Sequence, residues 1–126
     1  MRFIKRLWSL KMGDFSGKTA EFAALQYLRL KGYHLVEHNY VTGRGTGAGE
    51  VDIIVKNQHT LVFVEVKKRQ SLEKAAYAIT PKQMQRIKRG AEAFLARHAE
   101  YADFDIRFDA VLVESLLKIR HIENAF

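Results

Sequence analysis

The sequence predicts one α/β domain, a mixed sheet flanked by helices. Three observations carry this. A helix-signalled segment at 17–31 precedes three β-rich runs, a second helix-signalled segment at 80–98 follows them, and one or two further strands close the chain. A length of 126 residues suits a single core of ordinary size.

Taken in order, Ala24, Leu25 and Leu28 recur at helical spacing in the first segment, Ser16 is placed to cap it and Gly32 to stop it. "YHLVEHNY" (33–40) alternates as a first strand, and "VTGRGTGAG" (41–49) reads as a glycine-rich loop. Runs 50–56 and 60–67, rich in Val, Ile and Phe, predict the next two strands. The polar "KNQHT" turns between them, with Gln58 and His59 at its tip. Thr80, Pro81 and Gln83 predict a capping box with a first-turn proline, opening a helix that ends near His98. "DIRFDAVLVE" (105–114) alternates as a strand, and "LLKIRHIENAF" offers a short edge strand. Residues 1–15 are expected to form a basic arm ahead of a single domain at 16–126, since Lys5, Arg6 and Lys11 interrupt every apolar run there.

Composition narrows the chemistry. The chain has 21 Lys+Arg against 14 Asp+Glu, a formal charge of +7, so a polyanionic partner is electrostatically favoured. It has no cysteine, which excludes disulfides, thiolate metal sites and cysteine nucleophiles and fits a cytoplasmic protein. No run approaches the ~20 apolar residues of a membrane span.

The informative feature is charge inside the two most apolar runs. "GEVDIIV" (49–55) carries Asp52 and "LVFVEVKKR" (61–69) carries Glu65 and Lys67. With a turn at 58–59, residues whose numbers sum to 117 face each other, so Asp52 opposes Glu65 and Glu50 opposes Lys67. Ile54, Leu61 and Phe63 share that face in strict alternation, while Val51, Ile53, Val55, Val62, Val64 and Val66 make the other face apolar. Opposed carboxylates demand a raised pKa or a counter-cation, and hard cations such as Mg²⁺ take such oxygen ligands. An ordinary solvated face with cross-strand salt bridges is the alternative.

Asp52, twelve residues, then Glu65-Val66-Lys67 resembles the D-x(n)-E-x-K signature of the PD-(D/E)xK nucleases, whose restriction-endonuclease-like core is α-β-β-β-α-β. "GKTAEFAALQYLRLKGYHLVEHNY", "GEVDIIV" and "LVFVEVKKR" further resemble the YraN family (UPF0102 group), described as Holliday-junction-resolvase-like, over roughly residues 17–113. The resemblance implies a metal-dependent endonuclease acting on branched or structured DNA with Mg²⁺ or Mn²⁺. It implies that Asp52, Glu65 and Glu21 hold the ion, with the Val66 carbonyl as a backbone ligand, and that Lys67 is the catalytic lysine. Glu21 lies four and seven residues before Leu25 and Leu28, on the apolar helix face; its alternative is a first-turn acid favoured by the helix dipole. The family's Gln near the second helix matches Gln83, which the capping box explains equally well, and Met84 or Gln85 could take that position. The superfamily's nominal Pro before the Asp is Val51 here.

Arg44 in the glycine loop, and Lys68, Arg69, Lys82, Gln83 and Arg86 around the second helix, are candidate nucleic-acid contacts, against the plainer reading of a charged helix surface. The glycine loop fits G-x-G-x-x-A at Gly43, Gly45 and Ala48, but a strand rather than a helix follows, which rejects a dinucleotide site. The five histidines form no zinc-like spacing and are expected mainly at the surface. Related resolvases act as dimers, so a homodimer is implied, with Trp8, Tyr77 and Phe126 as candidate exposed aromatics. A nucleic-acid-binding or repair-scaffold protein that keeps this fold without turnover is the alternative function.

Overall fold

The computed structural model describes residues 17–43, 48–68 and 79–126. The expected arm at 1–15, and with it Trp8, lies outside these residues, as do Arg44, Arg69 and Tyr77. The described elements are helix α1 (Gly17–Leu30), strands β1 (His34–Thr42), β2 (Gly49–Asn57) and β3 (Thr60–Lys68), helix α2 (Pro81–Arg97), a 3₁₀ turn (Ala99–Tyr101), and strands β4 (Asp105–Ser115) and β5 (Lys118–Ile122).

The five strands form one mixed sheet in the order β1-β2-β3-β4-β5. Among the described residues only the β3–β4 pair is parallel. A parallel pair needs a crossover between its strands, and α2 lies within that connection. The helices cover opposite faces. Ala20, Ala23, Ala24 and Leu28 of α1 pack on Ile53, Val55, Val62, Val64, Val111 and Val113. Ile87, Ala91 and Phe94 of α2 pack on Val51, Ile54, Leu61 and Phe63. With both faces covered, β2 and β3 are apolar on both sides, which is why they read as near-continuous aliphatic runs.

Local signals fix the boundaries. Gly32 adopts φ 98°, a conformation open to glycine, and the Tyr33 N–H returns to the Leu28 carbonyl to close α1. The Thr80 hydroxyl accepts the Gln83 N–H while the Gln83 side chain accepts the Thr80 N–H, so the predicted capping box opens α2. One glycine pair decides how closely α2 sits: a Cβ on Gly49 would run into the backbone of Gly90, and a Cβ on Gly90 would lie 2.8 Å from Val51 Cγ2.

The register of β2 on β3 follows the predicted sum of 117 from Asn57↔Thr60 to Ile53↔Val64, and there the recorded backbone pairing ends. Two sequence expectations change at that point. Val51, expected on the face of Ile53, instead joins the cluster under α2, while Asp52 and its neighbour Ile53 both line a groove against α1. Strict alternation fails because β2 leaves β3 here. β1 is irregular alongside, with a register shift between Leu35 and Glu37 and with Asn39 at φ 50°. Glu50, expected opposite Lys67, reaches Arg86 on α2 at 3.3 Å. Phe126 packs against Phe108 at 5.6 Å between ring centroids and is half-buried.

Candidate active site

Where β2 parts from β3, the side chain of Asp52 takes over the role of a strand partner. Its Oδ2 accepts the Val66 N–H at 2.9 Å. In a strand the N–H and C=O of one residue point to the same edge, so the Val66 carbonyl also faces the gap between the strands. Glu65, one residue earlier, lies close enough for the Asp52 charge to act on it and meets Lys67 Nζ at 3.1 Å. Glu65 and Lys67 side chains are each only 12% exposed. Glu21 arrives from α1, lines the same groove as Asp52 and feels its charge. It is the fifth residue of α1, whose first turn holds no acid, so the helix-dipole explanation for Glu21 does not apply.

The electrostatics follow from this crowding. Burial, reinforced by the Asp52 charge, pushes the Glu65 carboxyl from its ordinary 4.5 up to about 7, against the opposing pull of Lys67. Burial also raises Asp52, partly offset by the Val66 N–H, and raises Glu21, where Asp52 adds repulsion. Near neutral pH Glu65 is therefore only partly ionised.

Among the described residues no three His, Asp or Glu side chains already surround one point as metal ligands. The donor chemistry nevertheless fits a hard divalent cation: carboxylate oxygens from Asp52 and Glu65, a backbone carbonyl facing the same gap, and carboxyl groups whose ionisation is held back by burial, with the Asp52 charge adding to it at Glu65.

The structure brings Glu21, Asp52, Glu65, Val66 and Lys67 together. It keeps the other candidates apart from them or engages them otherwise. Gln83 is occupied by the α2 cap, Arg86 by Glu50, and Lys82 is exposed at the start of α2. Lys68, half-buried, ends β3.

Sequence reasoning misses a second polar centre. Asp109, fully buried, accepts two hydrogen bonds from Arg107 (2.8 Å each), one from His121 Nε2 (2.7 Å) and one from the Asn124 N–H (3.0 Å). Lys31 Nζ donates to His121 Nδ1 at 2.7 Å, and Arg107 donates to the Tyr33 hydroxyl at 2.6 Å. The His121 side chain is 1% exposed, so the surface expectation fails for this histidine: Asp109 compensates its burial. Burial pushes the Asp109 carboxyl up, but the bonds from His121, Arg107 and Asn124 outweigh it and hold it below the usual range. The signal available in the sequence is Arg107 and Asp109 two apart on a strand face that continues as Val111 and Val113.

The sheet, its two helices and this carboxylate–lysine group define an α/β protein with a restriction-endonuclease-like core. The chain belongs to the UPF0102 family: the model described as "Uncharacterised protein family UPF0102" matches residues 20–113. Similar proteins include a UPF0102 protein of Paramagnetospirillum magneticum, 48% identical over 110 residues, which cover 87% of this chain and 85% of that protein. UPF0102 proteins of Bradyrhizobium diazoefficiens (44% identical; 88% of this chain, 80% of that protein) and Rhodopseudomonas palustris (45%; 88% and 79%) match comparably.

Proposed function

We propose that the protein is a metal-dependent endonuclease that hydrolyses phosphodiester bonds in branched or structured DNA. One observation carries this reading: two strands part inside a covered sheet, and the gap is furnished with Asp52, Glu65, Glu21 and a mostly buried lysine rather than with apolar residues. A purely structural strand end would not retain mutually repelling acids.

In this reading Asp52 and Glu65 hold Mg²⁺ or Mn²⁺, with the Val66 carbonyl and Glu21 completing the protein's contribution. The ion, when bound, supplies charge neutralisation at the phosphate and acidifies a water. Lys67 presents a cation beside Glu65, where it orients the attacking water and offsets negative charge developing on the phosphoryl oxygens. The Val66 N–H fixes Asp52 in one rotamer, so the carboxylate is positioned before substrate arrives. The net positive charge favours the polyanion's approach. The reading includes a homodimer, since symmetric cutting of two strands needs two such sites.

A second reading, a nucleic-acid-binding protein with little turnover, is favoured by one observation: among the described residues the carboxyls do not ring a common point. Labelled four-way junctions, flaps and single strands incubated in Mg²⁺ and in Mn²⁺ separate the two. Cutting by the wild type that Asp52→Asn lacks supports the nuclease. Binding without cutting on every substrate, by protein shown to be folded, supports the second reading.

A further inference from the structure

Asp52 and Glu21 form one end of a groove that runs between α1 and β1, with a volume near 480 Å³. Such a volume suits a single small ligand, in the range of roughly 300–1,000 Å³ typical of ligand clefts. The wall contributed by α1 is not the usual solvated face. Lys18, Phe22 and Arg29 succeed one another along it at helical spacing, and all three line the groove. Phe22 is 57% exposed, an aromatic ring left in the open beside a charged centre. Other exposed apolar side chains, Leu30, Val41 and Leu117, are absent from the groove lining and need no explanation. Lys18 and Arg29 make no ion pair among the described residues. Asn39 on β1 lines the opposite wall and offers an amide that both donates and accepts.

Two cations flanking an open aromatic ring match a nucleic-acid strand whose phosphates meet the cations and whose base stacks on the ring. A base inside a duplex already has both faces covered by its neighbours, so the ring selects a base that is not paired. We propose that the groove seats an unpaired nucleotide of the strand being cut, its base stacked on Phe22 and phosphates of the same strand on Lys18 and Arg29. This rests on the nuclease reading for the role of the adjoining carboxylates and specifies its substrate: branch points, flaps and single strands rather than continuous duplex.

The test uses an indole at the platform. In the full chain carrying Trp8→Phe, which removes the one native tryptophan, and Asp52→Asn, which prevents turnover, Phe22→Trp reports stacking by its emission. Short oligothymidylate and a forked duplex with thymidine arms should quench the introduced indole, and a blunt duplex at the same concentration should leave it unchanged. Phe22→Ala should weaken single-strand binding about tenfold and Phe22→Tyr should restore it. Equal quenching by blunt duplex overturns the proposal, as does unchanged affinity in Phe22→Ala. So does an indole already shielded from iodide in the free chain and unmoved by nucleic acid, which would make a segment of the protein itself the occupant. Quenching by unpaired strands, with no cutting of any substrate by wild type, removes the nuclease reading and keeps the groove. Cutting without quenching does the reverse.

Discussion

The carboxylate of Asp52 accepts the backbone N–H of Val66 at 2.9 Å, at the level where the β2–β3 ladder has just ended. A side chain thus completes one strand's hydrogen bonding while the strands separate, and the opening between them admits Glu65 and Glu21 to the same carboxylate. The crowding has a measurable consequence in pH.

Glu65 has a folded-state pKa of about 7 against an ordinary 4.5, so the folded protein binds the extra proton between those values. The associated stability is fully present below pH 4.5 and is lost as pH rises through 7. In chelator the wild type should lose at most about 3 kcal/mol over that window from this group. Asp52→Asn keeps an oxygen for the Val66 N–H but removes the repulsion, so its stability should depend less on pH and exceed that of the wild type at pH 8. Urea unfolding of both proteins across the window checks this; a less stable Asp52→Asn at pH 8 refutes the account of the site as a strained acid cluster.

The contact between Gly49 and Gly90 sets the depth of α2 on the sheet, and with it the position of Val51 next to Asp52. Gly90→Ala places a methyl 2.8 Å from Val51 Cγ2. A core this tight answers with displacement costing about 1–3 kcal/mol. That cost outweighs the gain in helix propensity from replacing glycine, worth about 1 kcal/mol at most. Thermal unfolding should therefore show a lower Tm for Gly90→Ala; a raised Tm would mean that α2 is free to move outward.

What the sequence disclosed and what it hid have separate physical causes. The α-β-β-β-α-β order, the α2 capping box, the Gly32 stop and the β2–β3 register all follow from local signals, and local signals survive without knowledge of tertiary neighbours. The convergence of Asp52, Glu65 and Lys67 was legible because charges inside apolar runs are anomalous. Alternation misplaces Val51 because it assumes regular pairing on both edges, and β2 has parted from β3 before Val51. The general surface expectation for histidines misses His121 because its burial depends on Asp109, twelve residues away on another strand, and on Lys31 beyond α1. The groove beside Phe22 needed the packing of α1 on β1, which no spacing rule supplies.

The Asp109 network ties the end of α1 to β4 and β5 through Lys31, Tyr33, Arg107 and His121. Asp109→Asn keeps the shape but faces amide hydrogens toward donors and removes the buried anion shared by Arg107 and His121, leaving Arg107 only the more exposed Glu123 at 3.8 Å. A loss of roughly 3 kcal/mol at neutral pH is expected. Because Asp109 titrates below its ordinary 3.8, its contribution is present above that pH and lost as pH falls through the lower folded-state value. The gap between wild type and variant should accordingly narrow below pH 3.8. Chemical denaturation at about pH 7 and about pH 3 reads both parts, and a neutral variant at the higher pH would show that the network contributes only packing.

Lys67 offers the sharpest separation of structural from catalytic roles. Its ammonium, 3.1 Å from Glu65, is the permanent counter-charge of the acid cluster, in the place where a divalent cation would act electrostatically. Replacing it by the similarly shaped Lys67→Met removes that counter-charge and leaves Asp52 and Glu65 in place. The carboxyls then repel with less compensation, so the apo protein should be destabilised at pH 8, and Mn²⁺ should raise its Tm by more than it raises that of the wild type. Cleavage, if Lys67 serves the attacking water, should fall at least about a hundredfold even with Mn²⁺ saturating, since general acid–base or charge-stabilising groups contribute roughly that much or more. Metal-induced stabilisation that survives while cleavage is lost assigns Lys67 to the reaction; cleavage that persists at saturating Mn²⁺ reduces it to a counter-ion, whose role the metal can take over.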